Sequence, residues 1–132
     1  TYTGRRLGRP STGSAVRGTR STPSPGVQAL AVEPGAGSLE DLLAAHDGAL
    51  LVQSMTGLHS GVNAVSGDFS VGVEGMLVRG GEPAEPVREV TVASTLQRLL
   101  LDVTAVGAGV EWLPSGAGAP PVVVGEVALS GS

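Results

Sequence analysis

Residues 68–78 alternate between two chemistries, and this alternation restricts the fold more than any other stretch of the sequence. Phe69, Val71, Val73, Gly75 and Leu77 fall on one face of an extended chain, and Asp68, Ser70, Gly72 and Glu74 fall on the other. A period of two marks a half-buried strand. Met76 and Val78 make the second face apolar toward the end of the run. Gly80-Gly81 then supplies a hairpin turn, and beyond Pro83 and Pro86 residues 87–92 read as a returning strand. The two strands are expected to pair antiparallel.

The core of such a sheet has to be built from valine and leucine. Isoleucine is absent, and Tyr2, Phe69 and Trp112 are the whole aromatic set. With 132 residues, 41% of them hydrophobic, the chain has the length of one domain and enough apolar material for a core. Two helices are expected to cover the sheet. The first opens at Ser38, a good N-cap, carries Glu40 and Asp41 in the turn where the helix dipole favours acids, and shows the stripe Leu39, Leu42, Leu43 before Gly48. His46, in its last turn, reads as a carbonyl or dipole contact. The second opens at the S-x-x-Q capping box of Ser94 and Gln97, runs along Leu96, Leu99, Leu100 and Val103, and stops at Gly107. Residues 27–32, 49–54 and 110–113 read as short strands. Residues 122–129, apolar on both faces at the start, read as a last and central strand. The order is β-α-β-β-β-α-β-β, and the class is α+β: a mainly antiparallel sheet with two packing helices.

Charge divides the chain. Five of its eight arginines (Arg5, Arg6, Arg9, Arg17 and Arg20) lie in the first 20 residues, and all 12 acids lie after them. Residues 1–26, rich in Arg, Gly, Ser and Pro, are expected to form a flexible arm that orders only against a partner, ahead of a domain at 27–132. A basic arm raises nucleic acid as a partner. With no lysine and no interleaved aromatics the footprint is thin, and an acidic protein surface is the favoured contact. No apolar run approaches 18 residues, and the first residues lack the pattern of a signal peptide. The chain opens on Thr1 rather than Met, and is expected to be the C-terminal piece of something longer or a processed product.

Little in the sequence supports self-sufficient catalysis. With no cysteine, disulfides, thiolate metal sites, iron–sulfur clusters and a cysteine nucleophile are excluded; with no lysine, so are a Schiff base and a P-loop lysine. Ser60 or Ser70 with His59 and Asp68 could be arranged as a triad on paper. No G-x-S-x-G elbow is present, and neighbouring residues of a strand point apart. His46, His59, Asp68 and Glu74 are too scattered to serve as a metal set. Gly116-Ala117-Gly118 lacks the following helix that phosphate binding needs.

Several runs carry a family resemblance. They are residues 57–72 (GLHSGVNAVSGDFSVG), residues 75–87 (GMLVRGGEPAEPV), Val106-Gly107-Ala108-Gly109, and residues 120–131 with Pro120-Pro121. Residues 11–17, with Ser14 in place of an Asn, and the helix entry at Pro34-Gly35, Ser38 and Leu42 add to them. In this order and spacing they resemble the C-terminal domain of the TldD/PmbA family, also called modulator of DNA gyrase. The resemblance includes a helix ending at the Val106-Gly107 pair and a closing strand after Pro121.

This resemblance implies a cytoplasmic, two-subunit bacterial or archaeal metalloprotease that trims unstructured peptides. The catalytic type of subunit carries zinc on an H-E-x-x-x-H helix in a domain outside this chain, and a Cys near the last loop. Here that loop is residues 113–118, without Cys. The departure points to the TldE/PmbA-like, non-catalytic subunit, with no cofactor of its own, zinc in its catalytic partner, and a TldD-like subunit or a second copy as its neighbour. On this reading residues 57–69 lie near the subunit interface or peptide channel, and His59, Asn63, Asp68 and Ser70 are the expected polar contacts. The alternative is a stand-alone module that binds peptides or itself through an exposed strand edge.

Overall fold

The computed structural model describes residues 2–131. Along the chain it places α1 (Tyr2–Arg6), β1 (Ala15–Val16), β2 (Ser24–Pro25), β3 (Leu30–Ala31), α2 (Leu39–Ala45), β4 (Leu50–Thr56), β5 (Asp68–Arg79) and β6 (Glu82–Thr95). Then follow α3 (Leu96–Leu101), β7 (Val103–Val106), β8 (Glu111–Trp112), β9 (Ala117–Ala119), β10 (Val122–Val124) and β11 (Ala128–Ser130). The expected α+β class with a mainly antiparallel sheet holds.

The chain divides into two compact units. One takes the residues up to Glu33 together with Val110–Ala119; the other takes Pro34–Gly109 and the chain from Pro120 onward. In the first, β1 and β2 form a two-stranded ladder, and β9 lies between β3 (parallel) and β8 (antiparallel).

The second unit is built on the expected hairpin. Its four-stranded sheet runs β11-β6-β5-β4, antiparallel throughout. Val71, Val73 and Val92 are buried at its centre, with Leu50, Val62, Phe69, Val90 and Val127 packed around them. The alternation holds from Phe69 to Gly75 and then changes phase: Val78 is fully buried and Leu77 is not. The pairing is irregular where the phase changes: β6 carries an extra residue opposite the junction of Leu77 and Val78.

Three expectations are corrected here. The returning strand begins at Glu82 and not at Val87. Pro83 and Pro86 are accommodated because β11 covers only Thr91, Val92 and Ala93 of the far side of β6, so the missing N–H groups face an open edge. The second helix opens at Thr95, whose hydroxyl accepts from the Arg98 N–H (3.1 Å), and closes at Asp102 instead of Gly107. Residues 103–106 are strand β7, paired with β10, so the Val106-Gly107 pair ends a strand. The final apolar stretch is not one central strand. It breaks into β10, paired only with β7, and β11, an edge of the larger sheet.

Helix α2 forms as expected. Ser38 and Asp41 make a reciprocal capping box, with the Asp41 N–H donating to the Ser38 hydroxyl (3.2 Å) and the Ser38 N–H donating to the Asp41 carboxylate (2.8 Å). His46 caps the other end, its Nδ1 2.8 Å from the Leu42 carbonyl oxygen. Where the chain enters and leaves this unit its segments are tied together. The Gly35 N–H donates to the Gly107 carbonyl (3.0 Å), the Ala108 N–H to Gly37 (2.7 Å), and the Gly107 N–H to Pro121 (2.8 Å).

Candidate functional site

The segment between β4 and β5 leaves the sheet at Gly57 and folds back on the start of β5. Two turns shape it. At the first, the Ser60 and Gly61 N–H groups both donate to the Gly57 carbonyl (3.1 and 2.7 Å). At the second, the Asn63 side chain gathers the N–H groups of Val65 (2.9 Å) and Ser66 (3.2 Å) on its Oδ1, an Asx turn. The loop is then zipped to β5. The Asn63 N–H donates to the Asp68 carbonyl and the Ser70 N–H to the Gly61 carbonyl, both at 2.8 Å, with a bridge between Val62 and Phe69.

Two glycines make this path possible. A β-carbon on Gly61 would overlap the Ser70 carbonyl oxygen, so only glycine lets loop and strand meet there. Gly67 is buried at φ +82, a left-handed conformation that other residues avoid, and lies against the Gln97 side chain. Its carbonyl accepts from the Leu96 N–H (2.9 Å), and the Gln97 amide donates to the Ser66 carbonyl (3.3 Å). The first turn of α3 therefore anchors the loop.

The result is an open recess of about 560 Å³ lined by Ser60–Ala64 and Asp68–Ser70. Of the four residues singled out in the sequence, Asn63, Asp68 and Ser70 come together in its wall. His59 does not line it and is exposed on the loop outside. Sequence reasoning missed Ser66. Its hydroxyl donates to the Asp68 carboxylate (2.6 Å) and accepts from the Asp68 N–H (3.3 Å), which orients the acid. The Asn63-x-x-Ser66-x-Asp68 spacing, typical of side chains that bond their own backbone, is the signal that could have found it.

This arrangement presents one carboxylate, an amide and hydroxyl groups beside main-chain groups of a strand end. It suits hydrogen bonding to a polar or extended ligand. The Ser60 hydroxyl donates weakly to the Gly57 carbonyl (3.4 Å) and not to an imidazole, so the paper triad is not assembled through it. Among the described residues no three His, Cys, Asp or Glu side chains converge as a metal set would. His46 contacts its own helix and His59 stands alone on the loop, so the residues present do not fit a zinc ion.

The family described as PmbA/TldA metallopeptidase C-terminal domain matches residues 1–131. The Metalloprotease PmbA homolog of Haemophilus influenzae is 38% identical over 111 residues, and Metalloprotease PmbA of Escherichia coli O157:H7 is 32% identical over 110. Each alignment covers 83% of this chain and 22% of the relative, so the chain spans about a fifth of their length. Among solved structures, a protein of Thermotoga maritima described as a modulator of DNA gyrase superposes with a TM-score of 0.80 at 30% identity, over 97% of this chain and 28% of that one. A similarly described protein of Bacteroides thetaiotaomicron gives 0.74 at 29% identity, over 99% and 27%.

Proposed function

Because the chain belongs to the PmbA/TldD metallopeptidase family, as its C-terminal domain, we propose that it serves in a TldE/PmbA-like, non-catalytic subunit of a heteromeric zinc metalloprotease that degrades or trims unstructured peptides. The observation that carries this reading is the recess at residues 60–70. It offers hydrogen-bonding groups at a strand end, as an extended peptide requires, without a proton-transfer pair or a metal set beside them. Zinc and the bond-breaking step belong to a TldD-like partner. This chain's share is to hold the partner and the peptide main chain. The reading carries a cytoplasmic location with it, and among the described residues no helix is long and apolar enough to cross a membrane.

The test is paired substitution at the recess. Asn63→Ala and Asp68→Ala are expected to weaken assembly with the catalytic partner, or peptide trimming by the complex, by tenfold or more at an almost unchanged melting temperature. Normal assembly and trimming by both variants would remove the recess from the function. Stoichiometric, chelator-resistant zinc in this chain alone would overturn its non-catalytic assignment.

A further inference from the structure

The recess at residues 60–70 carries a single charge. Asp68 is the one ionisable side chain in its wall, and among the described residues no arginine or histidine pairs with it. Arg79 lies beside Glu85, and Arg98 beside Asp102. The Asp68 carboxylate is only half used. Its Oδ2 accepts from the Ser66 hydroxyl at 2.6 Å, and among the described residues nothing bonds its Oδ1. Ser70, two positions along the same face of β5 and in the same wall, has a hydroxyl that is equally unbonded.

The rest of the wall adds carbon surface. Val62, Ala64 and Phe69 line the recess, and Val62 and Phe69 also pack against the core cluster of Val71, Val73 and Val92. Apolar surface beside a lone carboxylate matches an amphipathic side chain, with a hydrocarbon stem that packs and a cationic head that stays at the polar end. A cationic nitrogen brings donors and no acceptor, and the groups left open here, Asp68 Oδ1 and the Ser70 hydroxyl, can both accept.

Charge at longer range favours the same ligand. The unit that holds the recess, Pro34–Gly109 with the chain from Pro120 onward, contains ten acids and three arginines. Such a surplus draws cationic ligands toward the surface and repels anionic ones. We infer that the recess selects peptides by a basic side chain. A lysine or arginine of the extended peptide lays its stem on Val62 and Phe69 and sets its charged head on Asp68, which Ser66 orients. Asp68 is then the residue that sets specificity. This inference rests on the peptide reading of the recess and adds to it the class of residue that the site prefers.

The experiment measures binding of unstructured, end-blocked peptides to the isotope-labelled full chain, followed at the amides of Asn63, Ser66 and Ser70. The peptides differ at one central position, which is lysine, arginine, norleucine or glutamate; norleucine keeps the stem and removes the charge. At low salt the lysine and arginine peptides are expected to bind about three- to fivefold more tightly than the norleucine peptide, and the glutamate peptide more weakly than it. The preference should shrink toward unity in about 1 M salt, where screening acts within about 3 Å. Asp68→Asn should bring the lysine-to-norleucine ratio to about one. Glu74→Gln, which removes an acid from the same strand outside the recess, should leave that ratio unchanged. Equal binding of the lysine and norleucine peptides, with both shifting the recess amides, would overturn the selectivity and leave the peptide reading standing. Peptides that shift no recess amide would overturn both. A ratio that survives Asp68→Asn, or that falls as far with Glu74→Gln, would show that the field of the unit reads the charge, against the inference. An unblocked norleucine peptide that binds as tightly as the lysine peptide would assign Asp68 to a chain terminus instead. Should Asp68→Asn unfold, the ratio and its salt dependence on the unsubstituted chain decide.

Discussion

Asp41 shows how one side chain ties stability to pH. Hydrogen bonds from the Ser38 backbone N–H and then from its hydroxyl hold the Asp41 carboxyl below its ordinary value of 3.8. Glu40, beside it, is lowered by its own backbone N–H and then by Ser38. A group whose pKa is depressed by folding contributes stability above its unfolded pKa and loses it as pH falls through the folded one. The capping of α2 is therefore fully present above the ordinary carboxylate value and is lost as pH falls through the lowered folded one. The amides of Leu39–Leu43 are expected to lose exchange protection there before the sheet does, and Asp41→Asn to flatten this dependence. Ser38→Ala is expected to cost about 1 kcal/mol at neutral pH. If acid leaves the helix amides of the native chain as protected as those of β5, the capping box is not what holds the helix end.

At the scale of elements, legibility followed local periodicity. β5 and its turn could be read because a period of two and a Gly-Gly pair are written into contiguous residues. The first half of β6 was hidden by Pro83 and Pro86, whose acceptability depends on which edge is open, a fact of the assembled sheet. The stripe Leu96, Leu99, Leu100, Val103 has helical spacing, yet the helix stops at Asp102, where the Arg98 guanidinium pairs with the Asp102 carboxylate at 2.6 Å. Val103 then belongs to β7, because a distant strand, β10, takes up its backbone. At the recess, Asn63, Asp68 and Ser70 could be picked out as polar groups beside a strong strand, while Ser66 acts only through a bond across the turn. A second irregularity in β6, where Arg88 and Glu89 stand opposite Glu74, gives a prediction at this scale. Glu89 holds a left-handed φ that costs a residue with a β-carbon about 1 kcal/mol or more. Glu89→Gly is expected to hold or raise the urea midpoint, and Glu89→Val to lower stability by about 1 kcal/mol. A valine variant as stable as the parent would mean that β6 re-registers without the bulge.

For the whole molecule, the family could be read from the order of weak motifs, whereas the division into two units could not, since its first unit combines segments from opposite ends of the sequence. The ties among Gly35, Gly37, Gly107, Ala108 and Pro121 bear on the order in which the chain folds. Leu30 pairs with Ala117, 87 positions further along, and closing that loop in an unfolded chain is slow and entropically unfavourable. Once the Pro34–Gly109 unit has folded, its hydrogen bonds hold the two exits of the chain side by side. The loop that remains is about 15 residues, which lowers the closure cost by about 1.5 kcal/mol. The β3–β9 ladder should therefore form second, after the hairpin. Trp112 on β8, the chain's single tryptophan, reports that late step. In stopped-flow refolding its fluorescence is expected to lag the far-ultraviolet signal of the sheet, and a lag that vanishes would mean that both units close in one concerted step.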